Sequence, residues 1–241
     1  MSNIHYQIHK SADDKPWILL IHGLFGSLDN LAALRRGLND DYNMLSIDLP
    51  DHGNSLRTAE FSFENYALLV SQLINELNIT NLNIIGHSLG GKIAMQLALS
   101  QPDLINRLVV LDIAPVSYSP RHHAVFNGLE HVALNLISSR QNADQYLQEF
   151  VKEPATRQFL LKSLYQDDNG WHWYFNLTLL KRDYAKLSAG LNTQSQFSKP
   201  TLFIKGELSD YLTAEYKPQV MQLFPHSQLK VIANTGHWLH A

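Results

Sequence analysis

Along the chain, short unbroken apolar runs alternate with longer stretches in which apolar side chains recur every three or four positions. PWILLIHG (residues 16–23) is Ile- and Leu-rich and closes at Gly23, and YNMLSIDLP (42–50) stops at Pro50. Runs this short and this continuous predict strands buried on both faces. NLNIIG (81–86), INRLVVLDIAP (105–115), KPTLFIKG (199–206) and SQLKVIAN (227–234) predict four more strands. Between them lie helical patterns. LDNLAALRRGLND carries Leu31, Leu34 and Leu38 at helical spacing, with Gly37 a mild flaw. The clearest helix follows Ser62, a plausible N-cap, with Phe63, Tyr66, Ala67, Val70, Leu73, Ile74 and Leu77 on one face. GGKIAMQLALSQP closes at Pro102, and AEYKPQVMQLF separates the last two strands. Strands alternating with helices predict an α/β fold with a doubly wound, mostly parallel sheet covered on both faces.

Residues 116–197 break the alternation. They read as mostly helical and carry WHWYF, Trp171 to Phe175. Inserted between two core strands, such a segment predicts a helical cap over the C-terminal edge of the sheet, where open α/β sheets bind ligands. The expected division is a core of 1–115 and 198–241 and a cap of 116–197. A single large aromatic is more often core than pocket wall, so each ring of WHWYF also has an ordinary reading.

Composition narrows the function. The 241 residues suffice for one sizeable domain. With 19 Lys and Arg against 22 acids, a formal charge of −3, neither nucleic acid nor an anionic membrane is an expected partner. The absence of Cys excludes disulfides, a thiol nucleophile and thiolate metal sites. MSNIHYQIHK lacks the apolar stretch of a signal peptide, and Trp17–Ile21 is far too short to cross a bilayer. The expectation is a soluble, cytoplasmic protein.

Candidate chemistry stands at strand ends. Ser88 sits in Gly-x-Ser-x-Gly between a predicted strand and a predicted helix. A nucleophile elbow needs that context, because a serine on a tight strand-to-helix turn leaves no room for side chains at Gly86 and Gly90. A phosphate-cradling loop is the alternative, but no Lys-Ser or Lys-Thr of the P-loop type follows. HGLFGS (22–27) ends another strand. It can supply one oxyanion donor from the Leu24 amide, or from Phe25, to act with the Leu89 amide. His22 reads as a structural holder of that loop. His237, shortly after the last strand, is the candidate base, with His240 its rival. Asp112 and Asp210 each follow a core strand and compete for the role of acid. His122 and His123 are adjacent and cannot share one face. His237 and His240 lack the Glu of a zinc-binding helix, so no metal is expected.

HGLFGS, DLPDHGNS, GHSLGGK and TGHW together resemble the α/β-hydrolase fold, and LDIAPV with HWLHA resembles the YbfF-type esterases. The resemblance spans nearly the whole chain and implies that the cap follows the sixth core strand. Most members carry the acid as Gly-Glu-x-Asp after the later strand. That register puts Ser209 where Asp is expected and Asp210 one residue late. The YbfF-type enzymes instead take it from the D-I-A-P strand end, which implies Asp112, with Asp210 and then Glu207 as alternatives. A helix after the His normally covers the last strand, so the chain is expected to continue past Ala241.

These readings converge on a serine hydrolase of carboxylic esters or thioesters needing no cofactor, and the resemblance implies short to medium acyl groups, acyl-CoA included. Its substrate pocket is expected at Phe25, Trp171 and Trp173. Ser rather than Asp at position 88 argues against dehalogenase and epoxide-hydrolase chemistry. A lyase, perhydrolase or carbon–carbon hydrolase with the same triad stays open, as does a non-catalytic receptor on this fold.

Overall fold

The computed structural model describes residues 3–239. In chain order, β1 (Tyr6–His9) and β2 (Trp17–Ile21) lead to α1 (Ala32–Leu38), β3 (Asn43–Ile47), α2 (Phe63–Glu76), β4 (Leu82–His87), α3 (Leu89–Ser100) and β5 (Ile105–Leu111). The insertion then holds α4 (His123–His131), α5 (Arg140–Gln148), α6 (Pro154–Lys162), β6 (Leu164–Asp167), β7 (Gly170–Trp173), α7 (Leu177–Arg182) and α8 (Tyr184–Ser188). The chain returns through β8 (Thr201–Gly206), α9 (Lys217–Leu223) and β9 (Ser227–Ile232).

The main sheet runs β1-β3-β2-β4-β5-β8-β9, parallel except for β1. All five residues of β3 and the last four of β2 are buried, as their unbroken apolar sequence requires when helices cover both faces. At the far edge β9 is mostly exposed, with Leu229 and Val231 open to solvent. Ser62 caps α2, its hydroxyl accepting from the Asn65 amide at 3.0 Å.

From β2 the chain steps to β3 on one side, then crosses to β4 on the other. The strand order therefore reverses between β2 and β4. Ligands of open α/β sheets settle at the carboxyl ends of strands flanking such a reversal. Ile21 of β2 is paired in register with Gly86 of β4, so HGLFGS and the Ser88 turn emerge side by side.

The insertion leaves after β5, the fifth strand of the chain and not the sixth, because a single strand stands before β2. It is also less helical than expected. WHWYF begins in β7, which pairs antiparallel with β6 in a hairpin, Leu164 opposite Trp173. Buried polar clasps fasten the insertion to the sheet. The Lys92 ammonium, inside α3, donates to the Val116 carbonyl at 2.9 Å and to the Ala189 carbonyl, joining the two ends of the insertion. The Asn176 amide donates to Asp51 at 2.8 Å, and the Ser163 hydroxyl to the Phe25 carbonyl at 2.8 Å.

Candidate active site

Ser88 joins β4 to α3 with φ 52° and ψ −118°. Residues with a side chain rarely adopt that region, at a cost of roughly 1–3 kcal/mol. Neighbours hold it there. The Ser88 amide donates to Leu111 at 3.0 Å, and its carbonyl accepts from the Lys92 amide at 3.1 Å. The flanking glycines have a steric cause. A Cβ on Gly90 would lie 2.3 Å from the carbonyl oxygens of Ile21 and His22, and one on Gly86 would lie 2.4 Å from the Gly90 carbonyl oxygen. Without side chains there, the first turn of α3 seats directly on the ends of β2 and β4. Its N-terminus then points toward the space above Ser88.

Asp112 follows β5, also at positive φ (53°), and is fully buried. Its carboxylate accepts from the Gly206 amide at 3.0 Å, from the Ser209 hydroxyl, and from His237 Nδ1 at 2.7 Å. A carboxylate only accepts, so Nδ1 carries the proton and Nε2 of the neutral ring is left with a lone pair. The His237 ring stacks on Tyr211, centroids 4.1 Å apart, and its carbonyl accepts from His87 Nε2 at 2.9 Å. Ser88 and His237 line the same cavity.

The rival acids are engaged elsewhere. Asp210 is exposed and pairs with Arg121 at 2.6 Å. Glu207 accepts from the Asn234 amide at 2.8 Å. The acid brought to His237 is therefore Asp112, and Ser209, standing where the resemblance expects an Asp, serves as a donor to it. His240 lies outside the described residues.

Leu24 and Leu89 border the smaller cavity beside Ser88. The loop carrying Leu24 is held by His22, whose Nδ1 donates to the Gly23 carbonyl at 2.8 Å while Nε2 accepts from the Leu49 amide at 3.0 Å. Burial holds His22 below its ordinary pKa, so it stays neutral and keeps both bonds. Phe25, at φ 62°, turns its ring into the larger cavity and packs on Phe126 and Phe175 at 5.2 and 5.0 Å.

Trp171 and Trp173 do not line the cavity. The β6–β7 hairpin turns Trp173 into the insertion's own core, stacked on Phe175 at 5.4 Å. Phe159 and Trp238, in ring contact at 4.1 Å, form the cavity wall instead. Sequence reasoning also passed over His122, which borders the cavity beside Ser88. The Tyr184 hydroxyl accepts from the amides of Arg121 at 3.0 Å and His122 at 3.1 Å, so its proton goes to His122 Nδ1 at 2.6 Å. Burial pushes His122 down to about 4, helped by the nearby His237 and Arg121. Arg121 lies over the rings of Tyr211 and Tyr118, at 5.0 and 5.6 Å. The fragment RHH at the start of the insertion carries no motif that marks these roles.

Among the described residues, no group of three or more His, Cys, Asp or Glu could hold a metal ion, and no helix is long and apolar enough to cross a membrane.

Comparison with known proteins identifies the family. The alpha/beta hydrolase fold family matches residues 16–241. The chain is 36% identical to the esterase YbfF of Escherichia coli, covering 99% of this chain and 92% of that protein. It is 33% identical to the mouse sn-1-specific diacylglycerol lipase ABHD11, covering 94% and 76%. A solved marine microorganism esterase superposes with a TM-score of 0.95 at 29% identity, covering 99% of this chain and 94% of that one. The chain is thus an ester-hydrolysing enzyme of the α/β-hydrolase fold, in the esterase/lipase family related to the YbfF-type esterases.

Proposed function

We propose that the protein is a serine esterase whose nucleophile, base and acid are Ser88, His237 and Asp112. The observation that carries this reading is the 2.7 Å bond from His237 Nδ1 to a fully buried Asp112, in the cavity that also holds the strained Ser88. With Nδ1 donating to Asp112, Nε2 is the nitrogen able to take the Ser88 proton. The serine oxygen attacks the ester carbonyl as that proton leaves. The developing oxyanion is met by the Leu24 and Leu89 amides, where a single such donor is worth ~3–4 kcal/mol. His237, now charged and held by Asp112, gives its proton to the leaving alcohol or thiol, and an acyl-enzyme remains. Water attacks that ester with His237 again as base, which releases the acid and restores Ser88. No step calls for a cofactor.

The substrate class is a small-molecule carboxylic ester or thioester with a short to medium acyl group. Hydrolysis of p-nitrophenyl acetate and butyrate tests the reading. Ser88→Ala should lower turnover by up to about 10⁶-fold, the size of effect seen when such a nucleophile is removed. Equal rates in wild type and Ser88→Ala would overturn the assignment.

A further inference from the structure

Two cavities meet at Ser88, and they differ in size and in the groups they hold. The larger, about 320 Å³, has His237 and Trp238 in its wall but not Leu89. The smaller, about 50 Å³, has Leu89 and Leu187 in its wall but not His237. Leu24, Ser88, Arg121, His122 and Tyr211 border both and form the waist between them.

A tetrahedral intermediate on Ser88 carries the serine oxygen, the oxyanion, the acyl chain and the leaving oxygen. On the serine-esterase reading, on which this inference rests, the leaving oxygen must reach His237 to receive its proton. That places the leaving group on the side of the larger cavity. The oxyanion is turned to the Leu24 and Leu89 amides beside Ser88. What remains for the acyl chain is the smaller cavity. We infer that the enzyme is selective for short acyl groups on bulky alcohols, with the large cavity serving the alcohol and not the acid.

Size sets the limit. A cavity of roughly 150 Å³ accommodates benzene, so a third of that volume takes about two carbons beyond the carbonyl. Propionyl fits within it, and octanoyl must extend beyond it. The chemistry of the walls agrees. Leu89, Ile113 and Leu187 present only carbon to the small cavity. Of the polar groups around it, those of Tyr118, Tyr184 and Lys92 are already engaged, while Ser119 and Ser188 also border it. The Tyr118 hydroxyl accepts from the Ala114 amide at 2.8 Å and donates to the Tyr211 carbonyl at 2.5 Å, and the Tyr184 hydroxyl is taken up by His122 and two amides. The Lys92 ammonium is turned to the Val116 and Ala189 carbonyls. A plain alkyl chain needs no polar partner there. The larger cavity has Phe25, Val125, Phe150, Phe159 and Leu160 in its wall beside the polar Arg121, Glu153 and Thr156, and its size suits an extended or ring-bearing alcohol.

Octyl acetate and ethyl octanoate are constitutional isomers that exchange the long chain between the two sides of the ester. Octyl acetate should show the higher kcat/KM by tenfold or more, since about 10-fold or more attends each misfit methylene. Equal values, or a preference for ethyl octanoate, would overturn the inference while Ser88-dependent hydrolysis survived. Absence of Ser88-dependent turnover on both isomers and on p-nitrophenyl acetate would instead bring down the serine-esterase reading, and the inference with it. Leu187→Ala opens the small cavity and should raise the rate on ethyl octanoate relative to octyl acetate; an unchanged ratio counts against the assignment. Should that variant fold poorly, Val125→Trp narrows the large cavity from the other side. It should depress octyl acetate more than ethyl acetate, and the opposite pattern would overturn the inference.

Discussion

The sheet edge and the insertion above it share one cavity but shape it by different means. On the sheet side, backbone conformation sets position. Phe25, Asp51, Ser88 and Asp112 each follow one of the four successive parallel strands β2 to β5, and each has a positive φ, between 52° and 63°. Strain of this kind persists only where the surroundings over-determine it. Here they do, through β-strand ends, the seating of α3 and the carboxylates of Asp51 and Asp112. On the insertion side, the polar contacts to the sheet lie at the root, at Lys92, Asn176 and Ser163, while much of the surface over the cavity is carbon, from Val125, Phe150, Phe159 and Leu160, beside the polar His122, Glu153 and Thr156. The difference separates two kinds of consequence. Changes at the sheet edge should reach kcat through misplaced reacting groups. Changes in the cavity-facing wall of the insertion should reach KM and substrate choice.

The sharpest way to break this division is at the acid. Asp112→Asn should lower turnover by about 10⁴-fold, because an amide opposite Nδ1 favours the wrong tautomer of His237 and cannot stabilise its charged form. Asp210→Asn removes only a solvent-exposed ion pair with Arg121, worth about 0–1 kcal/mol, and should leave p-nitrophenyl acetate turnover within about threefold of wild type. If Asp210→Asn is the inactive variant, the sheet edge does not position the triad as argued. Gly90→Ala comes next. Its Cβ would press on two carbonyl oxygens at 2.3 Å, and neither can move without shifting the end of β2. Overpacking of this kind costs about 1–3 kcal/mol, roughly 2–12 °C in Tm for a domain this size, and should also cost activity. Thermal unfolding of the variant checks it; an unchanged Tm would mean that α3 is not seated as tightly as the geometry requires.

The same division explains what the sequence made legible. Ser88, His237 and the HGLFGS loop announce themselves because strained turns demand particular residues at particular spacings, and glycine is the record of a steric demand. Asp112 was legible only as one of several acids. Its selection depends on Gly206 and Ser209, nearly a hundred residues further on, meeting its carboxylate. The insertion left no such record. The apolar part of its walls asks only for carbon of suitable bulk, so the rings of Trp171 and Trp173 could not be told from those of Phe159 and Trp238. What separates them is the β6–β7 pairing, which sends one pair into the insertion's interior. His122 stayed hidden for a related reason, since its tautomer is fixed by Tyr184, 62 residues away.

Acid probes the two sides together. Burial lowers His52, beside the sheet, to about 3, and His122, at the root of the insertion, to about 4. In the unfolded chain both return to about 6.5. Between these values the unfolded state binds protons that the folded state refuses, so stability rises with pH through the window and falls as pH drops below about 6.5. At pH 5 each histidine accounts for about 2 kcal/mol of that loss. Tm should therefore fall between pH 7 and pH 5, and His52→Gln, which cannot titrate, should flatten the fall by roughly 4–8 °C. A fall of the same size in His52→Gln would show that a charged His52 is tolerated where it sits.

The smallest effect is the finest test of where the cavity wall lies. Trp171 stands opposite Gln166 in the hairpin, and its indole nitrogen is buried without a hydrogen-bond partner. Trp171→Phe therefore sacrifices no hydrogen bond, and no part of the cavity is lined by this ring. Its kcat/KM should stay within about twofold of wild type, in the range of changes remote from such features. Phe159→Ala is the matched opposite, because that ring lines the cavity and meets Trp238 at 4.1 Å, tilted by 52°. It should raise KM for esters of bulky alcohols while leaving kcat nearly intact, the signature of binding lost equally from ground and transition states. If Trp171→Phe moved KM more than Phe159→Ala, substrate would be touching the hairpin, and the insertion's interior would have to be counted as part of its wall.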